Sequence, residues 1–313
     1  MTLTSPGIHH VTAIAGDTGP NLAFYTDTLG LRLVKQTINF DDPTTYHLYY
    51  GDRVGTPGTA MTFFPIPVTG TGSIGTGQVV TTSFTVPPDS LDWWYRRLTD
   101  HDFDPSEPFT RFDERVLAVA DPDGLDLELV ERQPDDSIDP WTAGIDEAHA
   151  IAGFDGVTLD SRSPGETTTV LELLGFTHVD SAADRRRFEA TGTHGRFIDL
   201  VDEHDHTGRS GPGTVHHVAI RATDEEEQLE WREWLLDAGY HVTPVRDRHY
   251  FKSIYFREPG GILFEIATDG PGFDLDESVD TLGESLQVPP WLDHQRSEIL
   301  RQLPPLEFPT EVS

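Results

Sequence analysis

Residues Gly7–Ile14 read GIHHVTAI, and residues Thr214–Arg221, at the far end of the chain, read TVHHVAIR. Both are short apolar stretches of strand character carrying two adjacent histidines. A motif that returns in this way marks the start of a repeating unit. Two further starts lack the histidines: VVTTSFTV at 79–86 and GFDGVTLDS at 153–161. Each start leads into a helical stretch and then two or three strands. NLAFYTDTLGLRLV precedes TYHLYYGD and TAMTFFPI; SLDWWYRRLTDHDF precedes RVLAVADPDGLDLELVE; TTTVLELLGFTHV precedes RRRFEA and GRFIDLVD; EEQLEWREWLLDAGYHV precedes YFKSIYFREPGGILFEIAT. Leu229, Trp231, Trp234 and Leu235 have helical spacing with acids between them. The last strands are apolar runs of strand length, often behind Pro-Gly or Asp-Gly turns.

Four segments of this size cannot each bury a core alone, so their sheets must pair. The expected division is 1–140 for modules one and two, 150–272 for modules three and four, and 273–313 for a C-terminal surface tail. The tail carries PPW and PPL and a short helix at 294–303. This β-α-β-β-β unit, used four times, resembles the vicinal oxygen chelate superfamily of glyoxalase-like isomerases, antibiotic-resistance binding proteins and extradiol ring-cleaving dioxygenases. The resemblance spans nearly the whole chain. It implies an α+β fold of four βαβββ modules in two tandem halves, with mixed sheets curled into cup- or barrel-like sites and helices outside.

Composition narrows the setting. The 313 residues carry 54 acidic against 22 basic side chains, a formal net charge of −32. Acid is spread along the chain, so it is a surface property that repels nucleic acid and anionic membranes. Molar salt would screen the self-repulsion, which points to a cytoplasmic, halophilic protein. There is no cysteine, which excludes disulfides, thiolate ligands and a cysteine nucleophile. No apolar run reaches membrane-spanning length.

Aligning the modules at the first and last strands shows what the doublets are for. His10 in module one and His217 in module four correspond to Ser83 and Gly156 in modules two and three. Glu265 of GGILFE corresponds to Glu128 and Asp199, with Thr62 or Phe63 in module one. Two imidazoles and one carboxylate form the facial triad that holds non-haem Fe(II); Mn(II) suits the same set. His10, His217 and Glu265 are therefore the expected metal ligands, and modules one and four must meet, face to face, to assemble them. Neighbouring strand residues point to opposite sides, so one histidine of each doublet is expected at the metal. His9 and His216 are left to hydrogen-bond to the ligands or carry protons. Glu128 and Asp199 are expected to hydrogen-bond rather than bind metal, and His204 and His206 to be solvated.

The stretches GIHHVTAI, YHLYYGD, GTPGTAMTFFP and YFKSIYFREPGGILFE resemble extradiol enzymes that cleave hydroquinones rather than catechols. In that group the ligands come from the first and last modules. The catechol enzymes draw them from the last two, which Gly156 forbids here. The resemblance places further functional positions at Thr12, His216, Arg248 and Tyr255. Their chemistry sets the expected roles: Arg248, whose guanidinium stays charged when buried, to hold a phenolate or developing carboxylate, Tyr255, sharing strand parity with Ser253, to donate to bound oxygen, and His216 to serve as acid–base residue. Tyr46, Tyr49, Phe63 and His249 are expected to line the pocket. The implied partners are a small aromatic substrate and O₂, with no nucleic acid and no membrane; a homo-oligomer is left open. The rivals are a glyoxalase-like Zn²⁺ or Ni²⁺ isomerase or lyase, a non-catalytic binding protein, and a purely structural repeat protein. The isomerase ordinarily needs a second carboxylate where module one offers Thr62 or Phe63.

Overall fold

The computed structural model describes residues 3–66 and 70–306. Each module supplies four strands, with its helix after the first. Module one has β1 (Ile8–Ala15), β2 (Arg32–Asn39), β3 (Asp42–Gly51) and β4 (Ala60–Pro65). Module two has β5 (Gln78–Val86), β6 (Phe109–Arg111), β7 (Glu114–Ala120) and β8 (Asp126–Glu131). Module three has β9 (Phe154–Asp160), β10 (Thr177–Ala182), β11 (Arg185–Glu189) and β12 (Phe197–Val201). Module four has β13 (Thr214–Ala222), β14 (Arg246–Asp247), β15 (Phe251–Arg257) and β16 (Leu263–Pro271). The helices are α1 (Thr18–Leu22, running into a π turn at Ala23–Thr28), α2 (Leu91–Asp100), α3 (Pro164–Leu173), α4 (Glu225–Asp237) and, after the last module, α5 (Arg296–Gln302).

Two eight-stranded mixed sheets result, ordered β14-β15-β16-β13-β1-β4-β3-β2 and β10-β11-β12-β9-β5-β8-β7-β6. Modules one and four thus share one sheet, and modules two and three the other. The modules join edge to edge, by antiparallel pairing of β1 with β13 and of β5 with β9, rather than face to face. Within every module the first and last strands run parallel, which sets the functional strand ends side by side.

The helices cover the outer faces. On α4 the buried stripe is Gln228, Trp231 and Leu235, narrower than the apolar spacing implies, since Leu229 and Trp234 are exposed. Gln228 replaces an apolar anchor by donating its amide to the carbonyls of Lys252 and Ile266, so the helix is hydrogen-bonded to the sheet beneath it. Trp94 on α2 and Trp231 are fully buried; removing either ring would cost about 3–5 kcal/mol.

The segment after residue 272 is more than a surface covering. It straps the outer edge of module one, burying Phe273, Leu282, Val288, Ile299 and Leu303. Buried Lys35 on β2 reaches Asp276 at 2.7 Å and Glu277 at 2.5 Å. Thr37 and Gln36 donate to the strap carbonyls of Gln287 and Gly283. The helix in this strap, Arg296–Gln302, lies within the stretch expected from the sequence.

Candidate metal centre

β1 and β13 carry the two histidine doublets, and neither strand alternates regularly through its doublet. In the β1–β13 register Ile8 pairs with Ile220 and His10 with Ala219, so His9 is an extra residue; Thr12 pairs with His217 and Ala13 with Val215, so His216 is another. A β-bulge sets two consecutive residues against one and brings their side chains toward the same side. Strict alternation therefore fails at both doublets. His9 Nδ1 lies 2.9 Å from His10 Nδ1, and His216 Nδ1 lies 2.8 Å from His217 Nδ1.

His10, His217 and Glu265 come together, all buried, with one potential ligand atom from each lying within 4.8 Å of the others. His10 Nε2 stands 3.3 Å from His217 Nε2 and 3.5 Å from Glu265 Oε2, which is 2.9 Å from His217 Nε2. None of these approaches gives Oε2 a hydrogen bond: among the described residues it is buried without a donor, its lone pairs left free toward the cluster. The other oxygen, Oε1, accepts from Ser253 on the adjacent strand. Burial alone would raise the Glu265 carboxyl, but His10 and His217 hold it well below the usual carboxylate range. Burial lowers His217 despite the opposing pull of Glu265. An ionised carboxylate beside a near-neutral imidazole, with one orphaned lone-pair atom, is the donor set a divalent cation satisfies.

Proton positions can be assigned from the partners. His9 Nε2 faces the carbonyl of Thr268 at 3.1 Å and must donate to it. Its Nδ1 is then an acceptor, His10 Nδ1–H donates to it, and His10 Nε2 is left bare toward the cluster. If His217 Nε2 is likewise bare, His217 Nδ1–H donates to His216. Each doublet thus holds a ligand and the group that fixes its tautomer.

A cavity of about 250 Å³ opens beside the cluster, lined by Ile14, Phe40, Phe64, Phe251 and Tyr49 among apolar and aromatic groups, and by His47, His216, Arg248, Tyr255 and Asp41 among polar ones. A pocket of about 150 Å³ suffices for benzene, so one aromatic ring fits. Tyr255 pairs with Glu265 across β15 and β16. Arg248 donates from Nε to the Tyr255 hydroxyl at 3.1 Å and from Nη2 to Asp41 at 2.8 Å. Its carboxylate partner is thus Asp41 from module one, not neighbouring Asp247. Burial and Glu265 push the Tyr255 phenol well up, so it stays protonated. His216 is exposed, yet the surrounding protein, His217 and Arg257 lower it to about 4. Thr12 lies behind the cavity wall, 2.8 Å from Thr62.

Of the four aromatic residues expected in the pocket, only Tyr49 lines it. Tyr46 has the opposite strand parity and donates to the carbonyl of Pro304. Phe63 packs in the core, and His249, at φ 68°, turns away to Asp276. Sequence reasoning passed over His47. It lies between the Tyr49 hydroxyl, 2.7 Å from Nδ1, and Thr62, 2.9 Å from Nε2. The signal was available: Tyr49 pairs with Thr62 as Tyr255 pairs with Glu265, so His47 is the module-one counterpart of Ser253. His204 is not simply solvated either, since it caps buried Asp160 at 2.7 Å.

The same register logic corrects one alignment. Glu265 pairs with Ala219, Asp199 with Thr158 and Thr62 with Thr12, each two residues past its module's histidine position. Glu128 pairs with Ser83, so Thr81, not Ser83, stands where His10 does. In this second cup arginines take the place of a cation. Arg111 contacts Glu128 at 2.8 Å, and Arg187 grips Asp199 at 2.8 and 3.0 Å.

The family model described as Glyoxalase/Bleomycin resistance protein/Dioxygenase superfamily matches residues 7–129 and 159–266. The chain is 47% identical over 309 residues, 98% of each chain, to the protein named "Putative ring-cleaving dioxygenase MhqO" of Bacillus subtilis. It is 33% identical over 307 residues, 95% of each, to the chlorohydroquinone/hydroquinone 1,2-dioxygenase of Sphingobium indicum. A crystal structure titled as a putative dioxygenase from Bacillus subtilis superposes with a TM-score of 0.94 at 46% identity, covering 98% of this chain and 99% of that one. Glyoxalase I from Zea mays superposes with a TM-score of 0.62 at 16% identity, over 84% of this chain and 92% of that one, and so shares the fold.

Proposed function

This chain belongs to the Glyoxalase/Bleomycin resistance protein/Dioxygenase superfamily, and we propose that within it the protein is an Fe(II)-dependent ring-cleaving dioxygenase of hydroquinones. The observation that carries this reading is the buried His10–His217–Glu265 cluster opening onto a cavity sized for one aromatic ring. Strong similarity to relatives named for ring cleavage, one of them for hydroquinone, supports it.

His10, His217 and Glu265 would hold Fe(II), with Mn(II) the alternative for the same donor set. The bound metal supplies a meeting point where a phenolate and O₂ are oriented together and electron density passes between them. The reaction breaks the ring bond between a hydroxyl-bearing carbon and its neighbour. One oxygen atom completes a carboxyl group on the first carbon and the other forms a carbonyl on the second, the ring supplying the four electrons that reduce O₂.

The chain's own groups position and stabilise. Phe64, Phe251 and Tyr49 hold the ring plane and exclude water. Arg248, permanently charged, faces the cleft and attracts the phenolate and the growing carboxylate. Because Arg248 donates to the oxygen of Tyr255, the tyrosine proton remains free to point at substrate oxygen. His216 holds the Nδ1–H of His217, and being neutral near pH 7 it can take a proton at Nδ1 when that bond opens. Thr12 braces the wall through Thr62 and His47. Cysteine-free and without a helix, among the described residues, that could cross a membrane, the protein suits work in the cytoplasm.

The isomerase alternative lacks its base: Thr62, bonded to Thr12 and His47, occupies the position a second carboxylate would need. The mass of the product tests the reading. A dioxygenase yields the hydroquinone mass plus two oxygen atoms, whereas an isomeric product of unchanged mass would favour the alternative.

A further inference from the structure

A second cavity, of about 320 Å³, lies behind the metal cluster and shares His216 and His217 with the substrate cleft as a common wall. Its other lining includes Gly77 and the start of β5 (Gln78, Val79), the loop at Gly208 and Ser210, Arg162, and Arg257 at the end of β15 with Gly261 in the turn that follows. Among the described residues no aspartate or glutamate lines it, although the chain has 54 acidic residues. Both guanidiniums converge on one glycine: Arg257 Nη1 donates to the carbonyl of Gly261, and Arg162 Nη1 lies 3.0 Å from where a Cβ on Gly261 would stand. Arg162 also lies flat against Gly77, where a Cβ would meet Nη2 at 2.7 Å. Any side chain at Gly77 would displace the guanidinium, so glycine there keeps Arg162 in the cavity. Neither arginine has a carboxylate partner among the described residues. The substrate cleft, by contrast, contains Asp41 and Glu265.

We propose that this cavity is an organic-anion site that receives the carboxylate of the ring-opened product. The physical reasoning is a change of charge. Hydroquinone arrives neutral, and ring opening turns one of its carbons into a carboxylate. The open cleft leads that anion back toward a surface of net charge −32. The cavity across His216 offers two guanidiniums without a carboxylate partner among the described residues instead. Its position also explains why His216 is exposed although it lies beside a buried ligand. The choice of a ring-opened product as occupant rests on the dioxygenase reading; anion binding by the two arginines does not.

The test uses cis,cis-muconate, a six-carbon dicarboxylate with the skeleton of an opened ring, titrated into the full-length metal-loaded protein by calorimetry. Wild type should bind it, and binding should survive saturation of the cleft with a non-cleavable phenol. The Arg162→Gln/Arg257→Gln double variant should bind it about tenfold more weakly or worse, with an unchanged melting temperature because both side chains are exposed. Absence of binding to wild type, equal binding to the variant, or displacement of muconate by the phenol would each overturn the proposal. If the protein consumed no oxygen yet bound muconate in this arginine-dependent way, the dioxygenase reading would fall and the anion site would stand.

Discussion

The Nδ1 atom of His9 lies 2.9 Å from the Nδ1 atom of His10, and the far nitrogen of His9 is committed to the carbonyl of Thr268. One histidine therefore dictates the tautomer of the next, and a β-bulge makes the contact available. His216 and His217 repeat the arrangement at 2.8 Å. The doublet is thus best understood as a ligand with its own orienting group beside it.

His9→Phe keeps the bulk and removes the acceptor for His10 Nδ1–H. Metal affinity should fall about 10- to 100-fold, measured by competition with a chelator. His9→Asn, which can still accept, should recover part of the loss. Equal affinity in wild type and His9→Phe would refute the orienting role.

Tyr255→Phe removes one hydroxyl from the cavity and leaves the ligands in place. We expect kcat to drop about 10²-fold or more with little change in KM, while metal content stays at the wild-type level. Arg248→Gln should raise KM as well, because it faces the substrate directly and also orients Tyr255. Full turnover in Tyr255→Phe would remove the tyrosine from the chemistry.

Asp121 gives a pH dependence separate from the metal. It precedes β8, accepting from the Tyr25 hydroxyl at 3.1 Å and from the backbone N–H of Asp123 and Leu125 at 2.9 Å each. Burial raises its carboxyl from 3.8 to about 6. The folded state therefore binds this proton more tightly than the unfolded state. Its stabilising contribution is complete below the unfolded value and is lost as pH rises through the folded one. Asp121→Asn should flatten the stability profile between about pH 4 and 6, by up to roughly 2 kcal/mol across the window. Denaturant titrations of both proteins at a series of pH values would show it; parallel profiles would contradict the assignment.

Lys35 is fully buried with Asp276 and Glu277 as partners, and it ties the C-terminal strap to β2. Lys35→Ala leaves two carboxylates beside a void and should cost about 3–5 kcal/mol. Lys35→Met, which fills the space, should cost less if the ion pair mainly offsets its own desolvation. Chemical denaturation ranks the variants, and an unchanged midpoint for Lys35→Ala would show that the strap does not depend on this contact.

With a net charge of −32, the folded chain repels itself at low ionic strength. Raising salt from about 0.1 M to 1 M shortens the screening length from about 10 Å to 3 Å and should raise the melting temperature. A flat or falling response would remove the case for a high-salt origin.

Much of this was legible in the chain itself. The fourfold unit follows from the recurring strand starts, and the pairing of module one with module four follows from where histidine occurs. What pattern alone could not reveal was local. Alternation predicts one inward histidine per doublet, and the bulges at His9 and His216 are visible only in the register of the opposing strand. The same register moves the module-two counterpart of His10 from Ser83 to Thr81, a two-residue shift that preserves parity and so leaves no trace in the hydrophobic pattern. The strap was underestimated because its anchors are scattered single residues, and the lysine it covers, Lys35, carries no periodic signal. His47 was missed because neither doublet nor repeat draws attention to it until β3 is laid beside β15.

Oxygen uptake by anaerobically Fe(II)-loaded protein, in molar salt, with a substituted hydroquinone decides whether this is a ring-cleaving dioxygenase. One O₂ should be consumed per ring opened, and uptake should be abolished in His10→Ala and in Glu265→Gln. Protein shown to hold one iron but consuming no oxygen with any hydroquinone or catechol would contradict it.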